Sequence, residues 1–209
     1  MPSLYIITGS NGAGKSTVGP GYLPWYIRDK YAVFDGDLLY TKKLSQLFPR
    51  AIPSPKEARK LALEYVIDTF EERTAAALSN RDTFVYEGHF TNDATWDTPK
   101  RFKAAGYEIN LLFFGLTNVE KSQLRVTDRV ANGGHFVDRR TIEDNFTGNL
   151  EMLNVNFRFI DHLTIVDTSG THHILLITLN SGTILSAVPS AQLPHWFTHY
   201  MPDIASLIV

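Results

Sequence analysis

The chain contains no cysteine, which excludes disulfides and thiolate metal sites. It also lacks a surplus of charge: 20 basic residues stand against 22 acidic ones, a net charge of −2 over 209 residues. That balance gives no bulk attraction toward nucleic acid or an anionic membrane, though it is compatible with a local basic cleft. No apolar run approaches the roughly 20 residues needed to cross a bilayer. The first apolar run has no basic stretch before it and no small-residue cleavage site after it, so a buried strand is expected there, not a signal peptide. A cytoplasmic location without membrane contact is the corresponding expectation. The histidines are scattered apart from His172 and His173. No H-E-x-x-H spacing supports zinc, and no G-x-S-x-G elbow supports a hydrolase triad.

What is present is an ordinary globular balance, with 44% apolar and 20% charged residues. The length suits one well-cored α/β domain and is short for two. Leu4 to Thr8 is a short β-branched run that fits a buried parallel strand. Directly after it, residues 9 to 16 read GSNGAGKS. Gly9, Gly14, Lys15 and Ser16 complete the pattern G-x-x-x-x-G-K-[ST]. In such a loop backbone N–H groups, with those of the following helix N-terminus, turn toward phosphate oxygens. Lys15 reaches the β/γ-phosphates and Ser16 supplies a hydroxyl to Mg²⁺. The expected nucleotide cradle is Gly9, Asn11, Gly12, Ala13, Gly14, Lys15, Ser16 and Thr17. Gly19-Pro20-Gly21 interrupts the helix behind it within about one turn.

Further strands are expected over 31–34, 83–86, 109–114 and 163–167. Helices are expected over 38–47, 54 to about 78, 96–105, 121–130 and 141–157. The long second helix has a capping box in Ser54 and Glu57 with Pro55 at its first position. Its expected apolar positions include Leu61, Tyr65, Ile67, Phe70 and Ala75. This alternation predicts a three-layer α/β P-loop fold with a mostly parallel sheet over residues 1–170. Residues 171–209 read as a β-hairpin, 173–179 with 183–188, plus a short helix, forming an appendage on the same domain.

Ligands in open α/β sheets bind beyond the C-terminal strand ends, where Asp35, Asp37 and Glu87 are expected. A carboxylate there accepts a proton from a substrate hydroxyl or helps hold Mg²⁺. Asp35, followed by Gly36, leans toward a turn or capping role, whereas Asp37 and Glu87 are favoured as functional. His89 and His135 are equally compatible with substrate binding and with a surface loop. Arg125 and Arg129 lie four apart and share one helix face, ahead of Gly133-Gly134. They are compatible with a lid that neutralises phosphoryl charge and with a solvated basic face.

Four segments resemble the zeta-toxin family of P-loop kinases: YIITGSNGAGKST at 5–17, VFDGD at 33–37, FVYEGHF at 84–90 and LRVTDRVANGGHFV at 124–137. The resemblance spans about residues 3–170. It implies ATP- or GTP-dependent, Mg²⁺-assisted phosphorylation of a small-molecule substrate; a nucleotide sugar is the acceptor suggested by the family's studied toxins. It further implies Asp37 as general base, Glu87 as a residue positioning substrate or metal, Arg129 as the phosphate clamp and Arg125 as a second arginine. Two departures bear on the substrate. Gly88 and His89 stand where the family often has threonines, and Asp144 and Asn145 where it often has arginines; Arg139 and Arg140 are the nearby cations available to compensate. A nucleotide-gated binding module with slow hydrolysis remains the alternative from another class. A polynucleotide kinase is disfavoured by the charge balance and the lack of a basic–aromatic run. A protein partner such as an antitoxin is left open.

Overall fold

The computed structural model describes residues 1–131 and 136–208. Its sheet has seven strands in the order β2-β3-β1-β4-β5-β6-β7. These are β1 (Ser3–Gly9), β2 (Phe34–Asp35), β3 (Phe84–Glu87), β4 (Glu108–Gly115), β5 (His162–Asp167), β6 (Ile174–Asn180) and β7 (Thr183–Ala187). The first five run parallel, and β6 and β7 extend the sheet antiparallel. The central β1 is buried along its whole length, as a strand covered on both faces must be.

The β1–β2 connection is broken into short pieces. Helix α1 (Lys15–Val18) passes into a 3₁₀ turn over Gly19–Tyr22, and α2 (Trp25–Arg28) follows. The expected strand over 31–34 is displaced to 34–35. The Tyr31 N–H still donates to Ile27 O, continuing the helical turn, and the Tyr31 hydroxyl is tied to Asp82. Only Phe34 and Asp35 reach β3, opposite Tyr86 and Glu87.

Helix α3 (Gly36–Leu47) begins where Asp35 accepts the Leu38 N–H at 2.9 Å. Helix α4 (Pro55–Asn80) has the expected cap, with Ser54 Oγ accepting the Glu57 N–H. Its buried face corrects the sequence reading. Leu61, Tyr65, Ile67 and Ala75 are exposed, whereas Ala58, Ala62, Thr74 and Ala77 are buried. Val66 and Phe70 complete that stripe as half-buried groups on the core. Their spacing of about four is the helical period, with small residues allowing close approach.

After β3 come α5 (Asp97–Ala104), α6 (Val119–Ala131) and α7 (Arg139–Asn156); Arg101 of α5 pairs with Glu71 of α4 at 3.1 Å. Asn118 Oδ1 accepts the Lys121 N–H at 2.9 Å, as an N-cap does. Segment 171–209 supplies β6, β7, α8 (His195–Tyr200) and α9 (Pro202–Ala205). Trp196, fully buried, stacks on Phe113 of β4 at 6.4 Å between ring centroids, so this segment shares the main core. Among the described residues no helix is long and apolar enough to cross a membrane.

Candidate active site

The C-terminal ends of β1, β2 and β3 bring Gly9, Asp35 and Glu87 to one edge of the sheet. The glycine loop turns away from β1 there, and two of its glycines are dictated by packing. A Cβ on Gly9, which has φ +133°, would lie 2.0 Å from Phe114 O in the neighbouring strand. A Cβ on Gly12 would lie 2.8 Å from the Arg125 Cβ. Thus the absence of a side chain at Gly12 lets α6 close on the loop, a coupling that the motif alone does not reveal.

Lys15 is nearly buried and donates to the carbonyls of Gly9 and Ser10, each at 3.1 Å. Its ammonium lies 4.0 Å from Glu87 Oε1, and Ser16 Oγ donates to Glu87 Oε2 at 2.8 Å. Lys15 and Glu87 expose only 7% and 11% of their side chains, so both pay desolvation. Burial lowers the Lys15 pKa, opposed by the attraction of Glu87, Asp37 and Asp35. Burial raises the Glu87 pKa, opposed by Lys15 and the Ser16 hydroxyl.

A cavity of about 270 Å³ opens above the loop, lined by Gly12, Gly14, Lys15, Ser16, Thr17, Glu87, Arg125 and Arg129. Gly12, Gly14, Lys15, Ser16 and Thr17 of the expected cradle therefore share one space with both arginines of α6, whereas Gly9, Asn11 and Ala13 do not line it. Arg125 braces it: its guanidinium donates to Gly12 O at 3.3 Å and to Thr168 O at 2.8 Å. Thr168 Oγ1 in turn hydrogen-bonds the Ala13 and Gly115 carbonyls. Arg129 acts electrostatically on Lys15 and on His89. Gly133, Gly134 and His135 lie outside the described residues.

Asp37 stands in the first turn of α3, exposed, and its charge reaches Lys15. It lines neither this cavity nor the next. Arg139 and Arg140, the suggested compensating cations, pair with Glu143 at 2.7 Å and Asp144 at 3.9 Å on their own helix. Both are exposed and neither lines the phosphate cavity.

A second cavity, of about 310 Å³, lies between α4 and residues 86–98. Phe34, Phe70, Tyr86 and Phe90 form its aromatic walls, and Glu87 and His89 its polar ones. Glu87 lines both cavities. Sequence reading missed this space because its rings come from three separate segments, around Phe34, Phe70 and Tyr86–Phe90.

It also missed the polar network behind it. Asn149, buried on α7, accepts the Phe90 N–H at 2.6 Å and the Thr8 hydroxyl at 3.2 Å. Asn145 Nδ2 donates to Asn11 Oδ1 at 2.9 Å, tying α7 to the glycine loop. The available signal was two asparagines four apart in a helix, where that residue type is a poor helix former.

A family model described as Zeta toxin matches residues 1–179. The chain belongs to the zeta-toxin family. Among solved structures, it is similar to the AvrRxo1-ORF1:AvrRxo1-ORF2 complex with sulphate ions, at TM-score 0.70 and 11% identity, and to the same complex with ATP, at TM-score 0.70 and 12% identity. Each match covers 98% of this chain and 64% of the other, so this zeta-toxin family member spans less than two thirds of those relatives. It is also similar to a structure of the PezAT toxin–antitoxin system of Streptococcus pneumoniae, at TM-score 0.58 and 17% identity, covering 83% of this chain and 72% of that one. At these identities the likeness shows a common P-loop kinase-like fold. No curated protein matched.

Proposed function

We propose that this zeta-toxin family member is a phosphotransferase that moves the γ-phosphate of ATP or GTP to a hydroxyl of a small acceptor. The observation that carries this reading is Glu87, one carboxylate forming a wall of both the phosphate-loop cavity and the aromatic cavity beside it. A donor site and an acceptor site that meet at one acidic side chain suit in-line transfer between bound molecules. The relative whose structure holds ATP has the same fold, which supports ATP as donor.

Lys15 and Arg129 would neutralise charge on the moving phosphoryl group. Arg125 would set the position of Arg129 by locking α6 to the loop. Ser16 Oγ and Glu87 Oε2, 2.8 Å apart, form a hydroxyl–carboxylate pair of the kind that holds Mg²⁺ alongside nucleotide phosphates. The bound ion would supply charge neutralisation at the β- and γ-oxygens. Asp37, exposed in the first turn of α3 with its charge reaching Lys15, would accept the acceptor's hydroxyl proton; the aromatic cavity would exclude water that competes as acceptor.

Labelled ATP and a pool of small metabolites, with products identified by mass spectrometry, test the reading. Phosphate should appear on an organic hydroxyl, and Asp37→Asn should abolish that transfer while largely sparing ATP binding. Full transfer by Asp37→Asn on the true acceptor would remove Asp37 from the base role.

A further inference from the structure

Among the described residues that line the aromatic cavity none is cationic: they are Phe34, Val66, Ile67, Phe70, Tyr86, Phe90 and small or hydroxylated residues, with Glu87 and His89 as the ionisable groups. Glu87 is already engaged by Ser16 and Lys15. The chemistry of this space is therefore set by rings and by His89.

The state of His89 follows from its neighbours. The Phe90 N–H is only a donor, so the Asn149 atom 2.6 Å from it is the amide oxygen. The other amide atom is then nitrogen, which donates to Asn145 O at 2.5 Å and faces His89 Nδ1 at 3.0 Å. His89 Nδ1 must accept that bond, so the imidazole is neutral and carries its proton on Nε2. His89 thus offers one N–H donor and no basic nitrogen.

We propose that the group seated in this cavity is uncharged: an aromatic or compact apolar ring bearing one hydrogen-bond-accepting atom, which His89 Nε2–H recognises. A phosphate or diphosphate would enter a space whose described lining supplies no cation and whose wall carries a carboxylate already engaged by Lys15, at high desolvation cost. Asn149 is the positioning residue, since the same side chain fixes the His89 ring and, through Asn145, reaches Asn11 of the glycine loop. The proposal rests on reading this cavity as the acceptor site, and it departs from the sugar-nucleotide acceptor that the family resemblance implies.

Ligand-observed NMR on the full chain without nucleotide tests it with three probes: benzyl alcohol, 3-pyridinemethanol and benzyl phosphate. The pyridine nitrogen adds an acceptor, and the phosphate adds negative charge. 3-Pyridinemethanol should bind about three- to tenfold more tightly than benzyl alcohol, the effect of one neutral hydrogen bond, and benzyl phosphate should bind the cavity weakest. His89→Phe should erase the preference for the pyridine while retaining benzyl alcohol binding. Asn149→Leu should reduce the same preference with Nε2–H intact in the sequence. Phe70→Trp, which fills the cavity and leaves the His89–Asn149 pair in place, should abolish binding of both alcohols.

Binding of benzyl phosphate at this cavity as tightly as the alcohols, an unchanged ranking in His89→Phe, or no alcohol binding to the wild type would overturn the proposal. These binding results are independent of catalysis. If the alcohols rank as stated but no acceptor is ever phosphorylated, the kinase reading fails and the neutral cavity stands. If transfer occurs and the ranking fails, the reverse holds.

Discussion

The two cavities that meet at Glu87 are of similar size, about 270 and 310 Å³, yet chemically opposite. One is built from backbone, a lysine and two arginines; the other from aromatic rings, with no cation. One loop and one helix face, with Glu87 of β3, make up the first, because phosphate is recognised by charge and by backbone N–H groups that many sequences present alike. The second needs shape, so its rings come from β2, α4, β3 and the segment after it. The difference teaches that the phosphate cavity draws on one short loop and one helix, with Glu87, whereas the aromatic cavity is assembled from segments distant in sequence.

Substitutions should separate the halves. Lys15→Ala should have the largest effect: phosphoryl transfer falls by about 10³-fold and nucleotide binding weakens, while binding of a neutral probe in the aromatic cavity is unchanged. Isothermal titration of each ligand separately checks this, and parallel loss of both would show that the halves are not independent. Arg129→Ala should lower kcat by about 10²-fold with the nucleotide Kd within a few-fold, as for a group acting on transferring charge. A purely raised KM for nucleotide would instead make Arg129 a ground-state binder.

Smaller effects probe the aromatic half through stability. The Tyr86 hydroxyl is buried without a hydrogen-bond partner among the described residues. Tyr86→Phe should therefore stabilise the fold, by about 1–3 kcal/mol, read as a raised urea midpoint at constant slope. An unchanged or lowered midpoint would mean that the hydroxyl has a partner in solution.

His89 gives the smallest effect, and it has a definite sign. Burial, with Lys15 and Arg129, lowers its pKa well below the ordinary 6.5, so the unfolded chain binds the proton first. Its favourable contribution is complete above pH 6.5 and declines as pH falls from there toward the folded value. Between pH 7.5 and 5.5 the wild type should lose up to about 1 kcal/mol more than His89→Phe. Equal losses would indicate a histidine that protonates normally.

These contrasts also explain what the sequence made legible. The phosphate half is local: Gly9, Gly14, Lys15 and Ser16 follow one another on a strand–helix turn, so their convergence could be read without tertiary structure. Glu87 was legible as a strand end. The parallel strands β1, β3, β4 and β5 were legible too, because they are largely apolar runs, whereas β2 was not, being only Phe34–Asp35. The α4 face was not. Its exposed Leu61, Tyr65 and Ile67 outweigh in hydrophobicity the buried Ala58 and Ala62, and the deciding factor is close packing of small residues. The aromatic cavity and the Asn145–Asn149 relay depend on contacts between distant segments, such as Asn149 with Thr8 and Phe90. Asn145 in particular reads from sequence as a lost arginine, whereas in the fold it holds Asn11 of the glycine loop.

The central claim is that the two cavities act as donor and acceptor sites of one transfer reaction. Product formation from labelled ATP and a metabolite pool, compared between the wild type and Phe70→Trp at matched ATP binding, tests it most directly. The account predicts a phosphorylated small molecule from the wild type and its loss when the aromatic cavity is filled. Inorganic phosphate as the sole product, or equal product from both proteins, would contradict it.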